Sequence, residues 1–466
     1  MPNRQPIRVT PEEMAAQRAC EERVAGMADR PRTYHVVTYG CQMNAHDSEK
    51  LAGMLEAMGM TAAPTREEAD FVIFNTCCVR DNAERRALGN VTWLKEVRKL
   101  RPEMLIAVCG CMIQEPGMAE RILRQYPFVD LAFGTGNLHR FPALFERMLT
   151  ERQRIVAVTD EDVIAEDVPV RRLRRDAAYL TIMYGCDNFC SYYIVPYVRG
   201  RERSRHMTDI LREAESLVSG GVREIMLLGQ NVNSYRGEDG EDFPALLRAV
   251  DALGVERIRF MTSHPNDLSD RLITAMADCA HVLPQFHLPV QAGNDEILRR
   301  MNRHYDRAAY LDRVRRLREA VPGIGLTTDV IVGFPGETEA QFEDTLSLVD
   351  EVGYDSAFTF IYSPRTGTAA AKMPDQVPAE VSAERIQRLI ALQEKRQREQ
   401  MARFVGQTER VLAEGLSRRS EHAVSGKGEH GISITFPGGA EDVGQIVSVR
   451  VTGQKNNTLT AERTEA

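Results

Sequence analysis

The sequence predicts an α/β protein in three parts: an N-terminal parallel-sheet α/β domain, a partial (β/α)6 barrel, and a small antiparallel β-barrel. Three observations carry this. Apolar strand-like runs alternate with helical stretches from residue 34 to about 137, which implies a parallel sheet. The alternation restarts at 179 and runs through six strand–helix units, the pattern of a barrel or partial barrel. Beyond about 405 the chain changes to short runs among Gly and Ser, as in a small barrel.

Size and composition agree. At 466 residues the chain exceeds one ordinary domain. Its 43% hydrophobic and 27% charged residues suit a globular protein. No apolar run approaches a membrane span. The opening MPNRQPIRVTPEEMAAQRACEERVAGMADRP is charged throughout and lacks the apolar core of a signal peptide. A cytoplasmic protein with no membrane association is expected. The net charge of −8 argues against an overall basic nucleic-acid binder, but local patches are what a phosphate backbone contacts. Candidates are RRLRR (171–175), RGRERSR (199–205) and EKRQREQMAR (394–403), each weighed against an ordinary solvated face.

The elements follow in order. YHVVTYG (34–40) is a strand ending at Cys41, and a helix follows with Asp47 or Ser48 near its start. DFVIFNT (70–76) ends at Cys77, and MLIAVCG (104–110) ends at Cys111. VDLAFGTGN (129–137) is a fourth strand. Loops after parallel strands share one carboxyl edge, where ligands bind. Cys41, Cys77 and Cys111 are therefore expected on the same edge. The domain spans 33–150, and the acidic and then basic stretch 151–176 reads as a linker. The partial barrel with its trailing helix spans 177–400, with strands at YLTIMYG, REIMLLG, RIRFMTS, PQFHLPV, GLTTDVIVGF and SAFTFIY. The β-barrel spans 405–464, with strands read at TERVLAEGL, GISITF and GQIVSVRVTGQ.

The nine cysteines are odd in number and clustered, which favours metal chemistry over a disulfide framework. In GCDNFCSYYIVPYVRGRE (185–202), Cys186 and Cys190 have three residues between them and lie directly after the first barrel strand. An iron–sulfur cube needs soft thiolates on a loop that can wrap it. Three cysteines in such a loop hold three irons and leave the fourth open. Here Tyr193 stands where the third thiol belongs. A phenol titrates near pH ~10 and offers a hard oxygen, so a cluster held by Cys186 and Cys190 alone is expected to be labile.

This loop resembles that of the radical S-adenosylmethionine superfamily, with Tyr192 in the usual aromatic position. YGCQMN, FNTCCVR, CGCM, GCDNFC, IVPYVRGRERSR, LLGQNVNSY, TSHP, HLPVQAG and TDVIVGFPGE resemble, in the same order, the methylthiotransferase family, over about 34 to 365. The terminal barrel resembles that family's RNA-binding TRAM domain. CQMN with IVPYVRGRE is most similar to the tRNA-acting branch, which converts N6-dimethylallyladenosine beside the anticodon to its 2-methylthio derivative.

The resemblance implies two 4Fe–4S clusters. One is held by Cys41, Cys77 and Cys111, with an open iron carrying the sulfur to be inserted. The other, at Cys186 and Cys190, binds S-adenosylmethionine (SAM). Reductive cleavage then gives a 5′-deoxyadenosyl radical that takes a hydrogen from the adenine, and a second SAM supplies the methyl group. No side chain is a catalytic residue in this scheme. The implied partners are tRNA and a reductant such as flavodoxin or ferredoxin, with the sulfur donor unspecified. Gln230, Asn231, Gln291 and Asp329 are candidate SAM contacts, against ordinary strand-end hydrogen bonding. Cys78 and Cys109 are expected not to ligate, Cys20 and Cys279 match no motif, and His264 and His287 are expected to be satisfied barrel histidines. Arg418, Arg419 and Lys427 are expected phosphate contacts. Three other readings stay open: a tRNA-binding relative impaired by Tyr193, a methylthiotransferase for threonylcarbamoyladenosine, and one for a ribosomal-protein aspartate.

Overall fold

The structure, a computed structural model, describes residues 6–78, 81–418 and 420–464. Arg419 lies outside them. The chain forms two compact units. The first comprises Met1–Leu173, Met183–Phe189 and Tyr193–Arg205. The second comprises Arg174–Ile182, Cys190–Tyr192 and His206–Ala466.

The first unit is built on six strands in the order Thr61–Ala62, Thr33–Thr38, Phe71–Thr76, Leu105–Gly110, Leu131–Phe133, Ile155–Ala157. Every pair is parallel. Alternate side chains enter two cores, as the period of two in a strand requires. Val72, Phe74, Ile106 and Val108 meet Leu88, Val91 and Leu94 of the helix Asp81–Leu100. Phe71, Ile73, Ala107 and Cys109 meet Leu51 and Leu55 of the helix Gln42–Ala57, together with Phe141 and Phe145. The chain pairs one later strand on one side of Thr33–Thr38 and the next on the other side. Such a switch in strand order opens a crevice at the carboxyl ends. Cys41 and Cys77 follow the two strands that flank it.

Three sequence expectations change here. The helix after the first strand begins at Gln42 with Cys41 as its N-cap. Asp47 and Ser48 are therefore buried inside it. Asp and Ser read as caps because their side chains often bond backbone N–H groups. Here they bond tertiary partners instead. The stretch 151–176 is not a linker throughout, because Ile155–Ala157 is the sheet's last strand and Val163–Ile164 pairs with Ile7–Arg8. Strands of three and two residues are too short to leave a periodic signal. A helix at Pro11–Gly26, opened by a Thr10–Glu13 capping box, was not foreseen in the charged opening segment.

In the second unit Ala177–Thr181, Glu224–Leu228 and Arg257–Phe260 form one parallel ladder. Gln285–His287, Gly325–Val332 and Ser356–Ile361 form another. A parallel bridge between Ile258 and Val282 joins them into a six-stranded partial barrel. The helix Ala379–Ala402 leads into a closed five-stranded barrel. Its pairs are antiparallel except one, Ser433–Pro437 with Thr458–Arg463. Two of its strands, Ser420–Lys427 and Thr458–Arg463, were not read from the sequence. Arg257, 1% exposed, ties the two barrels together. It donates to the carbonyls of Arg410, Lys427 and Gly428 and pairs with Glu224. Among the described residues no helix is long and apolar enough to cross a membrane.

Candidate functional site

At the sheet edge of the first unit, Cys41 is exposed while Cys77 and Cys111 are buried. Cys41 is the N-cap of the helix Gln42–Ala57, which fixes the thiol at that helix's N-terminal end. Two glycines let the loops close on one another. Gly40 has φ +116, and a Cβ there would lie 2.6 Å from the Cys77 Cβ and 3.0 Å from its Sγ. Gly110 has φ +95, and a Cβ there would lie 2.5 Å from both Asn75 Oδ1 and the Thr76 carbonyl. Only glycine combines that backbone with that approach.

A polar network stands behind the thiols. Asn44 donates to the Tyr39 and Thr76 carbonyls at 2.8 and 2.9 Å. Asn75 donates to the Asn44 carbonyl and to Ser48 Oγ at 2.8 and 3.0 Å. Arg199, buried, donates from Nε to Cys111 Sγ at 3.0 Å and from Nη2 to Asn44 Oδ1 at 2.7 Å. Its Nη2 also pairs with Asp47 at 2.7 Å. Burial pushes the Cys111 thiol up to about 12, the Arg199 charge opposes this, and the nearby Cys77 and Cys41 sulfurs reinforce it. A soft cation must therefore displace a proton to bind.

These residues fit a 4Fe–4S cluster with one open iron: three soft donors converge beside a buried cation. Among the described residues no three His, Cys, Asp or Glu side chains are grouped to hold a single ion. Thiolates on separate irons of a cube stand further apart than ligands of one ion. Cys78 and Cys109 are buried in the two cores, and burial raises both thiols well above their ordinary range.

The barrel loop has a different donor set. In the first unit, Gly185 has φ +76, and a Cβ there would lie 2.0 Å from the Arg201 carbonyl oxygen. Cys186 N–H donates to the Gly200 carbonyl at 3.3 Å, and Asn188 Nδ2 donates to Cys186 Sγ at 3.5 Å. In the second unit, Arg303 donates to Cys190 Sγ at 3.3 Å, Tyr305 Oη at 3.0 Å and the Pro289 carbonyl at 2.9 Å. Among the described residues no carboxylate pairs with this buried guanidinium. A buried cation without a counter-charge is costly, so the surroundings of Cys190 suit an anion. Tyr193 is half-buried. The loop supplies two thiols and a phenol, which does not fit a cube held by three thiolates.

The strand-end candidates separate. Asn231 donates to Asp267 at 2.7 Å and accepts from the His264 N–H at 3.1 Å, a structural arrangement. Gln291, at φ +71, bridges the backbone to Asp329 and Ile331. Asp329 lies 3.6 Å from His287 Nε2, and His287 Nδ1 bonds Thr327 at 2.9 Å, so His287 is satisfied. Gln230, directly before Asn231 in sequence, is half-buried. His264 differs from expectation. Burial pushes its imidazole down to about 2. Its Nδ1 accepts from the Asn266 N–H at 3.2 Å, which leaves the proton on Nε2, and Nε2 is buried with no partner. Both amide atoms of Asn233 and the Ser263 hydroxyl are buried and unmatched as well. Buried polar atoms are nearly always bonded, so these three side chains stand out among the described residues at this end of the barrel. LLGQNVNSY and TSHP contain them, but their chemistry is visible only once burial is known.

The RGRERSR stretch is neither a solvated face nor a basic patch. Arg201 pairs with Asp187 at 2.6 Å, Arg203 with Asp162 at 3.5 Å, and Arg205 with Glu166 at 2.5 Å. In the terminal barrel Arg418 is exposed. Lys427 is half-buried and bonds Ser433 at 2.8 Å, which disfavours it as an open phosphate contact.

Comparison with known proteins gives three family models in order along the chain. Residues 33–134 match "uncharacterized protein family UPF0004", 180–349 the radical SAM superfamily, and 402–463 the TRAM domain. The tRNA-2-methylthio-N(6)-dimethylallyladenosine synthase of Clostridium perfringens (strain SM101 / Type A) is 48% identical over 93% of this chain and 98% of its own. The synthase of the same name from Caldicellulosiruptor saccharolyticus is 53% identical over 84% of this chain and 83% of its own. That of Acetivibrio thermocellus is 47% identical over 98% of both. Among solved structures, a radical S-adenosylmethionine methyltransferase of Kitasatospora setae with cobalamin and a [4Fe-4S] cluster bound superposes with a TM-score of 0.54. It covers 73% of this chain and 77% of that one at 16% identity, a likeness of fold.

Proposed function

The chain belongs to the radical S-adenosylmethionine methylthiotransferase family, and from that premise we propose that its reaction is methylthiolation of N6-dimethylallyladenosine beside the anticodon of tRNA, impaired in the chain as it stands by Tyr193. The observation that carries the reading is the near full-length identity to synthases of that name, joined to three thiols converging at a sheet-switch edge. Cys41, Cys77 and Cys111 would hold one 4Fe–4S cluster, with Gly40 and Gly110 admitting the close approach. When bound, the iron–sulfur groups of this family supply one-electron reduction of SAM and carry the inserted sulfur. His264, Asn233 and Ser263 offer buried polar atoms to a ligand at the carboxyl ends of the partial barrel; Gln230 lies in the same loop as Asn233, while Gln291 and Asp329 belong to the other ladder, Asp329 within the strand Gly325–Val332. The terminal barrel would take tRNA phosphates with Arg418. Electrons would come from a carrier such as flavodoxin or ferredoxin, in the cytoplasm where tRNA matures.

Tyr193 leaves the barrel loop one thiolate short, so the chain as it stands should cleave SAM poorly. Tyr193→Cys should restore cleavage. The test is the anaerobically reconstituted Tyr193→Cys protein with reductant, SAM and dimethylallylated tRNA, read by mass spectrometry of digested nucleosides. The 2-methylthio nucleoside is the expected product. A variant that makes 5′-deoxyadenosine but leaves this nucleoside unmodified would overturn the substrate assignment. Abundant 5′-deoxyadenosine from the Tyr193 chain would overturn the reading of the loop.

A further inference from the structure

Arg199 sits in the segment that follows the barrel loop, yet its side chain serves the sheet edge of the same unit. It is 7% exposed. Its Nε–H reaches Cys111 Sγ at 3.0 Å, while Nη2 reaches Asn44 at 2.7 Å. Asp47, itself buried, holds the guanidinium at 2.7 Å. A planar guanidinium sends its donors in fixed directions. With Nη2 fixed by Asn44 and Asp47, Nε must face the sulfur. Lysine has one rotatable nitrogen and cannot serve all three partners in this geometry.

We propose that Arg199 is a positioning residue for the N-terminal iron–sulfur group, fixing the Cys111 sulfur through Nε–H and, with Asp47, setting the group's reduction potential. This rests on the reading that Cys41, Cys77 and Cys111 hold that group. Hydrogen bonds to a ligand sulfur and nearby positive charge both stabilise the reduced, more negative state. Asp47 works against this by adding negative charge within the same ion pair. The two residues therefore shift the potential in opposite senses, which a merely structural pair would not do.

The test is a dye-mediated redox titration of the anaerobically reconstituted full chain, with Tyr193 left in place so that one cluster is expected. Asp47→Asn should raise the midpoint. Asp47→Asn with Arg199→Gln should lower it relative to Asp47→Asn, with about tenfold less reduced cluster at a fixed potential, which is ~59 mV for a one-electron couple. Arg199→Lys should recover the charge effect while its reduced-state spectrum differs, because the N–H···S bond is gone. Loss of iron from the double variant at an unchanged melting temperature also supports positioning. Equal midpoints for Asp47→Asn and the double variant at equal iron content would overturn the proposal. So would loss of iron together with a fallen melting temperature, which is the mark of a fold residue alone. Failure of the parent chain to take up iron overturns the underlying cluster reading, and this proposal with it.

Discussion

Gly40→Ala places one methyl group where the loops after Thr33–Thr38 and Phe71–Thr76 meet. At φ +116 the new Cβ would stand 2.6 Å from the Cys77 Cβ, 3.0 Å from its Sγ and 3.1 Å from Asn44 Nδ2. A non-glycine residue held in such a backbone region costs about 1–3 kcal/mol. Overpacking a buried contact adds about 1–3 kcal/mol. The total, about 2–6 kcal/mol, is concentrated on one contact. The chain can relieve it by moving Cys77 or by turning the Cys41 loop away. Either motion separates two of the three proposed ligands. Reconstituted parent protein should carry about four irons per chain, and Gly40→Ala well under one. Replacing Cys41, Cys77 and Cys111 together by Ala gives the zero of the scale. Gly89→Ala is the control, because a Cβ there meets nothing within 4 Å in the middle of the helix Asp81–Leu100. It should leave iron unchanged and gain about 0.5–1 kcal/mol of stability. Full iron content in Gly40→Ala at the parent's melting temperature would refute the argument that the ligands meet there.

Other expectations follow from buried charge and exposed barrel surface. Arg257→Leu should cost about 3–5 kcal/mol in denaturant unfolding, because Glu224 and the carbonyls of Arg410, Lys427 and Gly428 lose a buried donor. Arg257→Met with Glu224→Gln should cost less, and equal losses would remove the ion-pair argument. His139 and His264 are held neutral by burial, with imidazoles pushed down to about 4 and about 2. Only the unfolded chain gains protons on them below pH ~6.5, so their contribution is complete above that value and declines as the pH falls. At pH 5 each lowers stability by about 2 kcal/mol. His139→Gln should remove one such share from the slope between pH 6.5 and 5, and an unchanged slope would contradict it. Arg418→Glu should weaken tRNA binding and flatten the plot of log affinity against log salt by about 0.9 or more, the release of one counterion contact. An unaltered salt slope would place the tRNA elsewhere.

Much of this protein is legible from the chain alone. Near-continuous apolar runs such as FVIFNT give parallel strands because a strand buried on both faces needs apolar residues at every position. A cysteine just past each run then lies on the shared carboxyl edge by topology, with no knowledge of packing. The loop that carries Cys186, Cys190 and Tyr193 is equally visible, because its meaning depends on spacing and residue type. Short elements were invisible: Ile155–Ala157 has three residues and Val163–Ile164 two, below any period. Tertiary structure alone decided the surroundings of the sheet-edge thiols. Asp47 looked like a helix cap and Arg199 like part of a basic patch, yet they meet each other behind Cys111. His264 looked like an ordinary core histidine, and only burial with a bonded Nδ1 leaves its Nε2–H without an acceptor. The physical reason is the same in each case. Strand, helix and loop follow from local periodicity and residue type, whereas the role of a charged or polar side chain is set by which distant groups share its low-dielectric surroundings.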